Sequence, residues 1–313
     1  MKEFNIIPSD AGRRLDKYIM QILPKAPSSF VYKMLRKKNI VLNGSKASGN
    51  ELLSGGDNVK IYLSDETFEK FAKGSEETAD LSQLMPPIVY EDDDFLIVNK
   101  PSGMLSQRAK ADDVSLNEIC LSYVITRSGS EDGTSFTPSI CNRLDRNTSG
   151  IVTFAKTYRA AKTLSQAFRD HTLGKYYRCL ATGNVKKASL EGRLVKDEKT
   201  NKVSIISDSD YGDYIKTEIT PVKTNGDATL VDIKLVTGKT HQIRAHLASC
   251  GTPVIGDPKY GDRTVNERYR KNFGITSQML VCYRLVIPDD GAFLSIAGKT
   301  FEIPMPPEFE KVL

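Results

Sequence analysis

The sequence lacks any long uninterrupted apolar segment. No run approaches the roughly 18 residues that a membrane-spanning helix requires, and the N-terminal stretch MKEFNIIPSD lacks the basic, apolar and small-residue order of a signal peptide. Internal repeats and low-complexity tracts are also absent. The 313 residues, of which 39% are hydrophobic, are enough for more than one apolar core. These features predict a folded cytoplasmic protein with two domains.

Cysteine and histidine are scarce, which limits disulfide and metal chemistry. The five cysteines, an odd number without a CxxC pair, indicate free thiols in a reducing compartment rather than disulfides or a zinc site. Two of the three histidines, His241 and His246, are five residues apart. That spacing would separate them by about 140° around a helix and prevent joint ligation of a metal ion. We therefore expect no metal.

Basic residues outnumber acidic ones only slightly. The 44 lysines and arginines against 39 aspartates and glutamates give a net charge of +5 and a pI of about 8.8. This mild excess agrees with a nucleic-acid partner if the charge is clustered, but many basic proteins bind none. Net charge by itself therefore leaves the partner open.

Residues 1–64 are predicted to form a small domain. In RRLDKYIMQIL the apolar side chains recur at helical spacing, and two prolines end the segment. A second predicted helix, SSFVYKMLRKKN, begins with a serine N-cap and has an apolar face. Its opposite face presents four basic side chains to solvent: Lys33, Arg36, Lys37 and Lys38. The runs IVLNGSKA and GGDNVKIYL indicate strands next to turns. Without further information, an ordinary solvated surface is the favoured explanation of this basic face.

A polar, acidic segment without periodicity, residues 65–85, is predicted to link this domain to a second one at residues 86–313. The second domain contains many short runs of β-branched and aromatic residues. In ATLVDIKLV, for example, Val231, Ile233 and Leu235 alternate with polar residues as in a strand. Two helical segments interrupt these runs, TYRAAKTLSQAFRD and KTHQIRAHLASC. Many strands and few helices predict an α+β fold with a mainly antiparallel sheet.

The decapeptide CNRLDRNTSG places Asp145 between two arginines and ahead of a turn sequence. An ordinary surface ion pair in a polar loop explains this pattern. The alternative is that Asp145 is an ionised carboxylate at the mouth of a site. The decapeptide alone favours the ordinary explanation, so the other motifs must decide.

Three further stretches carry candidate site residues. In GKTHQIRAHLASCGTPVIGDPKYG, a predicted helix that starts after Gly238 carries Arg244, which beside a carboxylate would keep it charged and oriented. In LGKYYRCLATG, Tyr176 and Tyr177 alternate across a strand, so one ring is expected in the core and one at the surface. NKPSGMLSQ, which contains Lys100, runs from a strand into a turn. Each stretch also has an explanation that is purely structural.

Taken together, IVNKPSGM, NRLDRNTSGIVTFAK, GKYYRCLATG and GKTHQIRAHLASCGTPVIGDPKYG resemble the signature stretches of the RluA family of RNA pseudouridine synthases, its RluC and RluD members in particular. The resemblance spans roughly residues 86–306, and two of the motifs are long and specific. Residues 13–63, with RRLDKYI, VLNG and GGDNVKI, resemble the S-four-like RNA-binding fold that often precedes this catalytic domain. The resemblance implies an enzyme that isomerises uridine to pseudouridine in RNA without a cofactor.

The resemblance also implies roles for individual residues. Asp145 matches the aspartate of the family's Arg-Leu-Asp motif and is expected to be the nucleophile. Tyr177 matches the tyrosine thought to stack on the target base, and Arg244 matches the arginine that pairs with the aspartate. Lys100 matches the Lys-Pro stretch; we count it among the substrate-binding residues and expect its main role to be shaping the site. The family usually has histidine where this chain has Asn142, and we expect catalysis to be unaffected by that departure.

The remaining expectations concern the substrate. Arg143 is predicted to fill or brace the gap that a flipped uridine leaves in the RNA stack, or else to pair with an acidic neighbour. The basic face of the second helix is predicted to contact RNA phosphates. We expect large-subunit ribosomal RNA as the substrate, with transfer RNA as the alternative, and a protein that acts as a monomer in the cytoplasm.

Other classes of function are also open at this point. A non-catalytic ribosome-assembly factor would keep the fold and bind RNA without the reaction, although Asp145, Tyr177 and Arg244 are all present. A cysteine enzyme acting on uridine through Cys141 lacks an evident acid or base partner. A hydrolase with Asp145 as general base lacks a second carboxylate at a comparable motif.

Overall fold

The structure, a computed structural model, describes residues 1–72, 80–110, 112–128, 136–197, 200, 202–206 and 211–313. The α-helices of these residues are Leu15–Ile22 (α1), Ser28–Arg36 (α2), Asp65–Phe71 (α3), Leu116–Ser128 (α4), Tyr158–Arg169 (α5), Gln242–Ser249 (α6) and Arg263–Phe273 (α7). Short 3₁₀ helices lie at Pro8–Asp10, Ser82–Leu84, Gly291–Ile296 and Pro307–Phe309.

The strands of the same residues belong to two sheets. The N-terminal strands are Lys2–Asn5 (β1), Ile40–Leu42 (β2), Ser45–Lys46 (β3) and Asn58–Ile61 (β4). The others are Ile88–Glu91 (β5), Phe95–Lys100 (β6), Ser139–Ile140 (β7), Ser149–Ala155 (β8), Gly174–Thr182 (β9), Ala188–Asp197 (β10), Lys202–Ile206 (β11), Asp213–Thr224 (β12), Ala228–Leu235 (β13), Leu280–Val286 (β14) and Thr300–Glu302 (β15). Helices and sheets of this kind confirm the predicted α+β class.

The N-terminal sheet is antiparallel, in the order β1-β4-β2-β3, and has its own apolar core. That core combines residues of α1, α2 and the strands: Leu15, Tyr18, Ile19, Val31, Leu35, Ile40, Val59 and Ile61. Asn43 and Gly44 both have positive φ, 50° and 74°, as a two-residue type I′ hairpin between β2 and β3 requires. The Asn-Gly turn signal is therefore confirmed. The predicted serine N-cap is wrong, because α2 begins at Ser28 and its capping position is Pro27.

Part of the predicted linker is helical. Residues 65–71 form α3, and the ring of Phe71 contacts that of Phe30 in α2 with 4.6 Å between centroids. The sequence pattern missed this helix because two aromatic residues among polar neighbours carry its whole apolar face. Residues 73–79, also part of the predicted linker, lie outside the described residues.

The larger sheet has eleven strands within the described residues. Its order is β11-β10-β12-β13-β9-β14-β8-β6-β5, with β15 beside β14 and β7 beside β8. Its pairs are antiparallel except β8 with β14, where Gly150 lies opposite Cys282. A Cβ on Gly150 would lie 2.3 Å from the carbonyl oxygen of Cys282, and its φ is 122°. Glycine is therefore required where the decapeptide joins the sheet.

The alternation patterns of the sequence agree with the sheet. Along β13, Val231, Ile233 and Leu235 are buried, whereas Lys234 is exposed. The predicted helix in TYRAAKTLSQAFRD is α5. The predicted helix after Gly238 begins later than expected, at Gln242 in α6, because the preceding residue has a left-handed backbone.

Helices α4 and α7 of the larger domain were not predicted. Helix α7 buries only Tyr269 as a core residue, so its apolar pattern is weak. Its ends nevertheless carry standard signals, because Asp262 accepts a hydrogen bond from the backbone N–H of Val265 and Gly274 ends the helix with a φ of 72°. In the described ranges no helix has both the length and the apolarity to span a membrane.

Candidate active site

A cleft of about 720 Å³ opens where the loop between β7 and β8, strand β9 and the start of α6 meet. The loop supplies Arg143 and Asp145, the strand supplies Tyr177, and the helix supplies Arg244. The structure therefore brings four of the sequence-predicted site residues together. The four basic residues of α2 and its C-terminal end do not line this cleft, although all four are exposed.

Asp145 pairs with a distant arginine rather than with its sequence neighbours. Arg244 Nη1 donates to Asp145 Oδ2 at 2.8 Å across 99 residues of chain, and Arg244 is only 5% exposed. Arg146 Nε donates instead to the carbonyl oxygen of Gly103 at 3.0 Å. The ordinary explanation of the decapeptide, a surface ion pair within the loop, is therefore not the arrangement that the structure shows.

Arg244 is itself held by a second carboxylate. Its Nε and Nη2 donate to the two carboxylate oxygens of the fully buried Asp257 at 2.7 and 2.8 Å. Burial opposes the charge on Arg244, but its bonds to Asp257 and Asp145 raise its pKa above the ordinary value. Burial likewise opposes ionisation of Asp257, yet Arg244 and two backbone N–H groups lower its pKa. The guanidinium therefore stays charged and is fixed in orientation.

Sequence reasoning missed Asp257, although the motif containing it was recognised. Its partner is 13 residues away across a helix and a turn, so no local spacing pairs them. Asp257 also supplies the second carboxylate that the hydrolase alternative lacked. Because both of its oxygens bond Arg244 in a buried position, it is not placed to activate a water molecule.

Tyr177 forms one wall of the cleft. Its ring is 8% exposed, whereas Tyr176 faces the other side of β9 under the Arg284 guanidinium, 4.1 Å from the ring centroid. The predicted in-and-out alternation of the two rings is confirmed. Burial raises the pKa of Tyr177 well above its ordinary value, with a smaller contribution from Cys282. The hydroxyl therefore keeps its proton at neutral pH.

Lys100 lies beneath the loop of Asp145 rather than on the cleft surface. It is fully buried, and its Nζ donates to the carbonyl oxygens of Pro101, Met104 and Arg146 at 3.1, 2.8 and 3.0 Å. Burial lowers its pKa to about 8, against the opposing effect of the charge on Asp145. These bonds support a role in shaping the site, whereas contact between Lys100 and the substrate stays a prediction.

Replacing Lys100 with methionine is expected to lower the free energy of unfolding by about 2–4 kcal/mol, because the Pro101 and Met104 carbonyls lose their donor, whereas the Arg146 carbonyl keeps the backbone N–H of Gly103. Urea denaturation measures this loss, with Lys162→Met at an exposed position of α5 as the control. RNA affinity should change little in the folded fraction. Unchanged stability together with a large fall in RNA affinity would instead support the predicted substrate contact.

Asn142, which stands where the family usually has histidine, connects the loop of Asp145 to β8 by hydrogen bonds. Its Oδ1 accepts hydrogen bonds from the backbone N–H and the hydroxyl of Thr153 at 2.8 and 2.9 Å. Its Nδ2 donates to the carbonyl oxygen of Ile151 at 3.3 Å. These bonds leave the carboxylate of Asp145 untouched, which supports the expectation that the departure leaves catalysis intact.

The neighbouring thiol is unsuited to nucleophilic attack. Burial raises the pKa of Cys141 to about 12, so the thiolate is scarce at neutral pH. This weakens the cysteine-enzyme alternative. All five cysteines are unpaired in the structure. Among the residues that the structure describes, no group of three or more His, Cys, Asp or Glu side chains is placed to hold a metal ion.

Two further polar residues of the cleft were not identified from the sequence. Lys175 lies on the same face of β9 as Tyr177, is 6% exposed, and donates to the carbonyl oxygen of Val236 at 3.4 Å. His241 precedes α6, and its Nε2 lies 3.9 Å from Asp145 Oδ2. Lys175 and His241 are distinguished by lining the cleft, and that property is not visible in the linear sequence.

Comparisons with known proteins agree with this geometry. The sequence matches the family model described as RNA pseudouridylate synthase over residues 94–249. It is 30% identical over 317 residues to the ribosomal large subunit pseudouridine synthase C of Pasteurella multocida, covering 100% of this chain and 93% of that protein. The synthase of the same name from Vibrio cholerae is 32% identical over 269 residues, which cover 85% of this chain and 82% of that protein.

The fold has solved relatives as well. The structure of human RNA pseudouridylate synthase domain containing 4 aligns with a TM-score of 0.60 at 18% identity, covering 74% of this chain and 93% of that one. At this identity the likeness concerns the fold alone. The full-length likeness to the bacterial synthases goes further, because it includes the stretches that carry Asp145, Tyr177 and Arg244. The chain therefore belongs to the RluA family of RNA pseudouridine synthases.

Proposed function

We propose that this RNA pseudouridine synthase uses Asp145 as its nucleophile on uridines of large-subunit ribosomal RNA. The observation that carries the proposal is the ion pair of Asp145 with Arg244, which Asp257 in turn holds from behind. The carboxylate side chain is 27% exposed and opens to a cleft large enough for a nucleotide. A charged, oriented and accessible carboxylate is what covalent catalysis by aspartate requires.

The reaction changes connectivity without changing composition. The bond from N1 to C1′ breaks, a bond from C5 to C1′ forms, C5 loses its proton and N1 gains one. Asp145 can act by adding to the base, by attacking C1′ or by assisting a glycal intermediate. Each route requires an ionised carboxylate at the nucleotide, so Arg244 has the same task in all three.

The cleft also suits a base that has left its stack. Extrusion of a nucleotide costs a few kcal/mol, which aromatic and apolar contacts in the pocket offset. Tyr177 supplies an aromatic wall, and Leu235, Leu280 and Leu285 supply apolar lining. We assign Tyr177 to contact with the flipped uracil.

Arg143 is proposed to act at the mouth of the cleft. It is exposed, and its Nη1 donates to the amide oxygen of Gln107 at 3.4 Å. Within the described residues it makes no ion pair, so the alternative of an acidic neighbour has no support there. A planar guanidinium can stack on bases and bond a phosphate at the same time.

The names of the bacterial relatives motivate the choice of ribosomal RNA. The test is to map pseudouridines in total RNA from cells with and without this gene, and to complement the deletion with the native gene or with Asp145→Asn. We expect one or more sites in large-subunit ribosomal RNA to be lost and then restored only by the native gene. Loss confined to transfer RNA would overturn the substrate assignment, and restoration by Asp145→Asn would overturn the role of Asp145.

Residues 1–64 are proposed to be an S-four-like RNA-binding domain that supplies affinity and site choice. The proposal rests on the separate apolar core and on the exposure of Lys33, Arg36, Lys37 and Lys38. Side chains are better targets than deletion, because the buried Arg13 lies over the ring of Tyr158 in α5, 5.1 Å from its centroid. We also propose that the enzyme acts as a monomer in the cytoplasm.

Changing the four basic residues of α2 and its C-terminal end to glutamine is expected to weaken RNA binding and flatten its salt dependence. Each lost phosphate contact should reduce the slope of log K against log salt by about 0.7–0.9. Binding assays from low to high salt measure the slope. The control changes four exposed lysines outside the cleft to glutamine, Lys186, Lys187, Lys223 and Lys311. Equal effects of the two sets would contradict a specific role for this face.

A further inference from the structure

His241 is held in an unusual backbone conformation beside Asp145. Its φ and ψ are 54° and 15°, in the left-handed region that non-glycine residues seldom occupy. Such strain persists where the surrounding structure enforces it, and it is common at functional sites. The conformation turns the imidazole into the cleft, where Nε2 lies 3.9 Å from Asp145 Oδ2.

Hydrogen bonds around Tyr260 determine the tautomer of His241. The backbone N–H of Val203 donates to Tyr260 Oη at 2.9 Å, and His241 Nδ1 lies 2.9 Å from the same oxygen. Among the described residues the hydroxyl has no other hydrogen-bond partner, so its proton is directed to Nδ1. Burial raises the pKa of Tyr260, which preserves that proton.

The charge of Asp145 favours the same tautomer. With Nδ1 accepting, the ring proton is on Nε2 and points toward the carboxylate. The opposite tautomer would turn a lone pair toward a negative oxygen and leave the Tyr260 hydroxyl without an acceptor. Burial lowers the pKa of His241, against the opposing effect of Asp145, so the ring is neutral at pH 7.

Arg244 and His241 both approach the same carboxylate oxygen of Asp145. Arg244 Nη1 bonds Oδ2 at 2.8 Å, and His241 Nε2 faces Oδ2 as well. Within the described residues Oδ1 accepts no hydrogen bond. The turn at residues 257–260 supports both Arg244 and His241, because Asp257 bonds the guanidinium and Tyr260 bonds the imidazole. Oδ1 is therefore the oxygen left for the substrate.

We propose that His241 is a positioning residue for Asp145, held by Tyr260 with its proton on Nε2, so that Oδ2 is occupied and Oδ1 faces the reacting nucleotide. The inference rests on the proposed role of Asp145. The separation of 3.9 Å is longer than a hydrogen bond, so the proposal requires a shift of about 1 Å that brings Nε2 within bonding distance of Oδ2 during the reaction.

The test is a double-mutant cycle with His241→Ala, Tyr260→Phe and the combined variant. We measure the single-turnover rate at saturating RNA, and RNA affinity with cytidine at the target position. His241→Ala should slow the reaction about 10- to 100-fold, as loss of a bond to a charged group implies. Tyr260→Phe should slow it by a smaller factor and add nothing in the His241→Ala background, since it acts through the ring.

Conservative and matched variants separate positioning from folding. His241→Gln places a β-carbon at the same left-handed position as His241→Ala but keeps an N–H donor, so it should recover part of the rate. Tyr214→Phe, which removes a hydroxyl bonded to Glu191 at 2.8 Å on an exposed strand, should leave the rate unchanged. Rates are normalised to the folded fraction measured by circular dichroism.

Several results would overturn the inference. They are multiplicative losses in the combined variant, a His241→Ala rate within twofold of native, or a loss confined to RNA affinity. The ¹⁵N chemical shifts of the imidazoles add a readout independent of activity, and with three histidines in the chain they can be assigned by substitution. A proton on Nδ1 of His241 would contradict the proposed tautomer. Asp145→Asn in the same assay tests the proposed function separately, because activity of that variant would remove the role of Asp145 itself.

Discussion

Replacing Asp145 with asparagine is expected to abolish isomerisation while leaving folding and RNA affinity nearly unchanged. The substitution keeps the shape of the side chain and removes its charge, and the amide cannot serve as the nucleophile. Arg244 would lose one of two carboxylate partners but keep both bonds to Asp257, so it stays in place. Single-turnover assays and RNA-binding measurements on the same preparation check the two halves of the prediction.

The matched control for Asp145→Asn is Asp94→Asn. Asp94 pairs at 3.3 Å with the exposed Arg159 and does not line the cleft. This control should retain native turnover, because the groups that its carboxylate bonds, Arg159 and the Thr157 hydroxyl, lie outside the cleft. Residual turnover of Asp145→Asn within tenfold of native would exclude Asp145 from the central role. Inactivity caused by unfolding would show as a lowered melting temperature and would also contradict the prediction.

Replacing Arg143 with alanine is expected to cause a large loss on a structured stem-loop and a much smaller loss on an RNA in which the same uridine is already unpaired. If the guanidinium fills the gap that the flipped base leaves, its contribution is needed only where a stack must be broken. The exposed position of Arg143 at the cleft, bonded only to the Gln107 amide among described residues, leaves it available for this task. Single-turnover rates of the native enzyme and of Arg143→Ala on each RNA give the two losses that are compared.

The adjacent loop arginine serves as the control. Arg146 is also exposed and lines the same cleft, but its Nε bonds the carbonyl oxygen of Gly103. Arg146→Ala should reduce the rates on the two RNAs by similar factors. A selective loss on the stem-loop for both variants would assign the effect to the charge of the loop rather than to Arg143. Equal losses on both RNAs for Arg143→Ala, or losses explained by a lower melting temperature, would contradict base flipping.

Local patterns in the sequence were enough to predict most of the regular structure. Alternation along β13, the inward position of Tyr177 on β9 and the Asn-Gly turn between β2 and β3 each depend on a few adjacent residues. The motifs around Asp145 and Arg244 were also recognisable, because residue type and order within a short stretch carry the family resemblance. Helices α3, α4 and α7 were not predicted; in α3 and α7 few apolar residues mark the buried faces.

The arrangement of the site depends on contacts between distant parts of the chain. The parallel pairing of β8 with β14, the 99 residues between Asp145 and Arg244, and the bonds from Asp257 behind the guanidinium have no signal in local spacing. The same holds for Lys100, whose sequence suggested substrate binding but whose buried ammonium supports three carbonyls. A sequence specifies which chemical groups are present and the period with which they recur. Which elements pack together decides the partner of a buried charge, because only packing removes water from around that charge.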